Sequence, residues 1–333
     1  SIFLYSHSGG RERGGTEPQL RLAVLHPDMT PALVADAMDR LARRLWYLYG
    51  DGGVWRFSTQ PNLNKILVER EDAVRSEEIR EEVRRTLGEI IGLRTFGRTY
   101  IWPEEDRDVA DTPELSLVVL DPDHPMGRED EEETRRFISR ILDNHGATFR
   151  KYRNTLAFLA PDEAALQGVT EAARRLIALR GIAADYATGE QLSQEQRRDL
   201  EKRLDDARSR LPSLVSAAYR HIVVGGPEKE LHIWDMGAQA YDVSRTLSQR
   251  VWDALKREEK LLEKLDPRLI VEERWALWPE DKEALRVADL WDYFVRYTHL
   301  PMLRDQAVLT AAIVEGLERG LFGYGLGDGE KLD

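Results

Sequence analysis

The sequence has no cysteine among its 333 residues, which excludes disulfides and thiolate metal sites and points to a cytoplasmic setting. No run approaches the roughly 18 apolar residues that a membrane-spanning helix needs. The opening SIFLYSHSGG has no basic leader ahead of its short apolar stretch, so no signal peptide is read there. Phosphate-loop chemistry is missing too: Gly-x-x-x-x-Gly-Lys-Ser/Thr, whose backbone N–H groups and lysine hold phosphates, does not occur. The seven histidines make neither His-x-x-x-His nor HExxH spacing, and there is no Gly-x-Ser-x-Gly elbow. The commonest zinc-protease and esterase signals are therefore absent. Positive charge is short, with a net charge of −12 and arginine far outnumbering lysine. Non-specific affinity for nucleic acid comes from cations neutralising phosphates, so any DNA contact has to come from a local basic face.

What is present describes a globular chain, 42% hydrophobic and 32% charged, long enough for two or three compact domains. SIFLY reads as a strand with no preceding turn or cap, as if the chain opened inside a sheet; the expectation is a piece of a longer protein. TEPQLRLAVLHP has the Thr-x-x-Gln form of a capping box. In the next segment Thr30 and Pro31 start a helix in which Leu33, Val34, Ala37, Met38, Leu41 and Leu45 recur at helical spacing. LWYLY, GDGG and VWRFS then read as a hairpin, and helices followed by such a hairpin predict a winged-helix module. Residues 70–92 predict an exposed amphipathic helix.

The centre changes period. LSLVVLD at 115–121 is a continuous apolar run, as a buried parallel strand requires, and 154–160 is a second. Helices are expected from about 129 to 144, over 162–180 and over 192–218, with AYRHIVVGG and ELHIWDM adding strands. The last part is helical again, opening with a capping box at Thr246 and Gln249. It resembles a second winged-helix-like module with GLFGYG as a short strand. The expected fold is thus mixed α/β: a winged-helix module with an amphipathic helix in 1–100, a parallel α/β layer and long charged helix in 101–240, and a helical module in 241–333.

Candidate chemistry has two readings at each place. As a wing, the hairpin sets Arg43, Arg44 and Arg56 beside DNA phosphates, with Lys65 joining them or sitting in the next helix's first turn. The alternative is a lid or protein-docking element, with Asn62 or Asn64 capping that helix. SHSGGRERGG is either a mobile loop or one that sends Arg11 or Arg13 to a nucleotide elsewhere, as an arginine finger does. LDPDHP puts Asp121, Asp123 and His124 beyond the end of a buried strand, where they hold a metal or make an ordinary Asp-Pro turn. Trp275 and Trp278 read as helical core, with base stacking as the alternative.

SIFLYSHSG, LWYLYGDGGVWRFSTQPNLNKIL, RNTLAFLAPD, LPMLRDQAVLTAAIVEG and GLFGYGLG follow one another in this order. Together they resemble the C-terminal half of a family of prokaryotic AAA+-type ATPases of unknown function. Its members sit beside adenine-specific DNA methylases in phage-defence islands and are similar to the large ATPases of BREX and Pgl systems. The resemblance covers nearly the whole chain. It implies a parent protein whose ATP- and Mg²⁺-binding elements lie upstream of Ser1, with that ATPase domain, duplex DNA and a methylase as partners and no membrane. PNLNK follows the family pattern and puts Asn62 and Asn64, with Arg11 and Arg13, among nucleotide-related candidates. Coupling of nucleotide state to DNA or partner binding is the function so implied. The charge alone supports an acidic interaction scaffold, and Asp121, Asp123 and His124 a metal-dependent enzyme.

Overall fold

The computed structural model describes residues 1–7, 14–26, 30–45, 47–51, 53–58, 62–127, 131–186, 192–272, 275, 277–278 and 284–325. The expectation of a mixed α/β chain with parallel central strands is met. Two compact units are formed, Ser1–Glu82 with Thr170–Leu211 and Val83–Val169 with Pro212–Asp333. Among the described residues no helix is long and apolar enough to cross a membrane.

The first unit opens with α1 (Ile2–His7), β1 (Gly15–Thr16), α2 (Glu17–Val24), α3 (Pro31–Arg44) and the hairpin β2 (Leu48–Asp51) and β3 (Val54–Phe57). SIFLY is therefore helical, a correction to the strand reading. Five residues are too few to separate the two periods, and packing on β3 decides: the Ser6 hydroxyl accepts the Phe57 N–H at 2.7 Å. The small sheet has the order β1-β3-β2. Its core is Leu20, Val34 and Met38, with Ile2, Tyr5, Val24 and Trp55 packed around them. Gly15 is required by that packing, since a Cβ there would lie 2.9 Å from Leu20 and 3.1 Å from Tyr5. The apolar face expected of α3 is only half buried: Val34 and Met38 are inside, whereas Leu33, Ala37 and Leu41 are exposed.

Next come α4 (Leu63–Ala73) and α5 (Ser76–Ile91), then β4 (Arg98–Ile101), β5 (Ser116–Val119), α6 (Glu132–Asp143), the short pair β6 (Asn144–His145) and β7 (Thr148–Phe149), and β8 (Leu156–Pro161). They are followed by α7 (Glu163–Tyr186) and α8 (Gln194–Ala218), the long charged helix that the sequence predicts. Within the first unit, Arg180 makes two 3.0 Å bonds to the buried carboxylate of Glu82, and Arg70 pairs with Asp185. These contacts tie α4 and the start of α5 to α7. The single exposed helix expected over 70–92 is corrected to the end of α4 and, after a break at Val74 and Arg75, α5, whose Leu87, Ile90 and Ile91 are buried.

The second unit is built on a five-stranded sheet of order β10-β9-β8-β5-β4, with β9 (Tyr219–Gly225) and β10 (Leu231–Asp235). β4, β5 and β8 are parallel; β9 runs antiparallel to β8, and β10, antiparallel to β9, returns to their direction. Leu117, Val118 and Val119 are fully buried, which is why β5 reads as an unbroken apolar run. One sheet face, with Val118, Leu120, Phe158 and Ala160, packs on Phe137, Ile138, Ile141 and Leu142 of α6. Each such large side chain contributes about 2 kcal/mol. Arg150 fastens α6 from behind, donating to Ile141 O at 2.6 Å and Val109 O at 2.8 Å while buried.

The remaining elements are α9 (Leu247–Arg257), β11 (Leu261–Leu262), α10 (Arg268–Val271), α11 (Val287–Arg296), β12 (Met302–Leu303) and α12 (Gln306–Glu318). Their core includes Leu265, Leu290, Phe294, Leu300, Leu303 and Leu309, with Trp275 packed against it, so Trp275 is a core residue. The stretch from Gly320 to Gly325 contains no strand, a correction to the reading of GLFGYG; Phe322 instead packs on the same core. A buried polar knot pins this helical part to the sheet. Lys260 Nζ donates to Asn154 Oδ1 (3.0 Å), Thr298 O (2.7 Å) and Leu300 O (2.8 Å), and Asn154 Nδ2 donates to Phe294 O (2.8 Å).

Candidate functional site

Two places carry the candidate residues: the hairpin region of the first unit and the carboxyl end of the sheet in the second. At the hairpin, Arg56 is exposed on β3 with its guanidinium 5.6 Å from the Tyr49 ring centre. Lys65 turns inward. Its ammonium donates to Leu45 O and, at 3.4 Å, to Leu48 O, where it meets the negative end of α3. Burial lowers its pKa. Asn62 caps α4, its Oδ1 accepting from the Asn64 backbone N–H at 3.0 Å, and the Asn64 side chain accepts from Arg203 of α8 at 2.7 Å. Arg43 and Arg44 fall in the last turn of α3 with side chains outside the described residues, as Arg11 and Arg13 are entirely. The residues grouped by sequence thus separate into one exposed cation and three side chains occupied in holding helices.

The carboxyl ends of β4, β5 and β8 lie together, as the parallel register requires, and ligands of open α/β sheets bind at such an end. Beyond β5 the chain makes a turn in which Asp121 Oδ1 accepts the backbone N–H of Asp123 (3.0 Å) and His124 Nδ1–H (2.8 Å). The carboxylate can only accept, so it places the ring proton on Nδ1. The imidazole stacks on Phe137, with centroids 4.0 Å apart. It keeps 19% of its surface exposed, and Nε2 has no partner among the described residues. An oriented imidazole with one open nitrogen is what this turn offers.

Beside it, Asp162 closes β8 and caps α7 through the Ala165 N–H at 3.2 Å. Its other oxygen receives Arg220 Nη2 at 2.8 Å and His221 Nε2 at 3.2 Å. Burial raises the pKa of this carboxyl, but the bond from His221 and the charge of Arg220 outweigh it and hold the group below its ordinary value. Asp162 is therefore an ionised anchor and a poor proton acceptor. Gly127 passes directly over it at φ +94°, where a Cβ would stand 2.8 Å from Asp162 Oδ2. Among the described residues no three His, Asp or Glu side chains converge to hold a metal ion. Asp121 and His124 pair with each other, and Asp123 enters the turn through its backbone.

Asp162, Arg220 and His221 were not singled out by sequence. The available signal was positional: Asp162 ends an apolar strand as Asp121 does, just ahead of a helix. Comparison of the chain with protein-family models, curated proteins and solved structures finds no match.

Proposed function

We propose that this chain is a non-catalytic region of a large defence-associated AAA+-type ATPase, and that its N-terminal helices and hairpin couple nucleotide state to a bound partner in the cytoplasm. The order of motifs resembling that family supports the parentage. The docking role rests on the second apolar stripe of α3, in which Leu33, Ala37 and Leu41 recur every four residues and are all exposed beside the buried Val34 and Met38. Phe3, Leu4 and Leu22 are exposed as well, with Leu22 at 84%. A contiguous apolar surface marks an association site, and the four-residue spacing puts Leu33, Ala37 and Leu41 on one face of α3. The partner we assign is the adenine-specific DNA methylase that accompanies the family. ATP and Mg²⁺ act in the parent's ATPase domain. Asn62 and Asn64 have their side chains committed to α4 and α8, so no nucleotide step is routed through them.

The test is co-purification of the chain with the neighbouring methylase. Leu33→Glu with Leu41→Glu should abolish capture, and equal capture by variant and parent protein overturns the docking role. Exposed Arg56 favours a second reading, contact with duplex DNA. Anisotropy with labelled duplex should then show salt-dependent binding that Arg56→Glu weakens; methylase capture untouched by Arg56→Glu and no duplex binding removes that reading.

A further inference from the structure

One edge of the five-stranded sheet is β4, and a groove of about 480 Å³ runs along it, lined by Arg84, Thr99, Ile101, Trp102 and Glu104 among others. Arg98 N–H donates to Leu115 O and Trp102 N–H to Val119 O, so alternate residues of β4 face its neighbour. The backbone groups of Thr99 and Ile101 consequently point into the groove. Among the described residues only one of them is taken: Ile101 O accepts Arg84 Nη2 at 3.2 Å. The Arg84 guanidinium lies 6.0 Å from the Trp102 ring centre, and its other nitrogens make no hydrogen bond among the described residues. The Thr99 hydroxyl is enclosed and unpaired. At the far end the chain turns sharply at Trp102, whose φ of +58° is strained for a bulky residue. Its indole instead donates to the Tyr219 hydroxyl at 3.0 Å.

From this we propose that the β4 edge binds an extended peptide by strand addition, and that Arg84 receives the peptide's C-terminal carboxylate. Thr99 and Ile101 supply main-chain pairing, which gives affinity with little demand on side chains. An added strand must stop where Arg84 covers the Ile101 carbonyl. The unengaged donors of the guanidinium stand at that stop, in the fork geometry that suits a carboxylate. The pocket belongs to the second unit alone and does not depend on the α3 surface proposed above.

The experiment is fluorescence anisotropy on the full chain with a labelled hexapeptide pool, Xaa-Val-Xaa-Val-Xaa-Val, as free acid and as C-terminal amide. The free-acid pool should bind about tenfold more tightly than the amide, as expected for a hydrogen-bonded ion pair. Arg84→Met should bring the acid down to the level of the amide without moving the urea midpoint. Amide exchange at Thr99 and Ile101 should slow when peptide is added, and Leu33→Glu with Leu41→Glu should leave all of this unchanged. Equal binding of acid and amide, no binding of either, or protection located elsewhere overturns the proposal.

Discussion

Lys260 is a buried lysine with no carboxylate against it, and its stability effect is measurable. Burial lowers its pKa from 10.5 to about 7. In the unfolded chain the amine still binds its proton up to the ordinary value, so between pH 7 and 10.5 the unfolded state carries more protons. Stability must therefore rise with pH across that window, because the cost of charging a buried amine is in force below about pH 7 and is released above it. The gap of 3.5 pH units, at about 1.4 kcal/mol each, sets a ceiling of about 5 kcal/mol. The three oxygens at 2.7–3.0 Å satisfy the ammonium's donors, so the gain between pH 6 and 10 is bounded by that ceiling. Urea unfolding of the parent protein and Lys260→Met should be compared from pH 6 to 10. The parent should gain stability relative to the variant as pH rises, and the Lys260 side-chain resonances should titrate near pH 7 in the folded protein. Parallel stability profiles together with a midpoint above 9 would refute the reasoning.

Gly127→Ala should destabilise by about 2–4 kcal/mol, since the new Cβ meets Asp162 at 2.8 Å and φ is +94°. Gly88→Ala, in α5 with nothing within 4 Å of the added methyl, should stabilise by about 0.5–1 kcal/mol, and calorimetry of both distinguishes crowding from propensity. Asp162→Asn should flatten the acid limb of the stability profile. The depressed carboxyl stabilises the fold at neutral pH and loses that contribution as pH falls through its folded pKa, so unfolding midpoints of parent and variant should converge as pH falls below the ordinary carboxyl value of 3.8. Thr246→Ala removes the N-cap of α9 and should cost about 1 kcal/mol by the same measurement.

Several of these elements are legible without coordinates. Thr246 and Gln249 exchange both bonds of the capping box, at 2.9 and 3.4 Å, as their spacing announces. The apolar runs of β5 and β8 name themselves as buried parallel strands, and α8 follows from charge and length. The readings that failed concern mostly segments of a few residues, the helix expected over 70–92 being divided by the break at Val74 and Arg75. α1 and the Gly320–Gly325 stretch are too short for a period to be told, and the four residues of β4 carry no pattern distinguishing them from a loop.

Sequence alone determined the mixed α/β class and the starts of the helices that carry a cap signal, α3 after Thr30 and α9 after Thr246, because side-chain periodicity and capping act over three or four neighbouring residues. Tertiary structure decided which polar residues matter. Lys260 finds its oxygen on a residue 106 positions away, Asn154 bonds a carbonyl 140 positions away, and Asp162 meets Arg220 across 58. It also decided which stripe of α3 is buried and that Lys65 turns inward. Such contacts depend on how distant segments fill space and satisfy buried carbonyls, and a linear pattern carries no record of that.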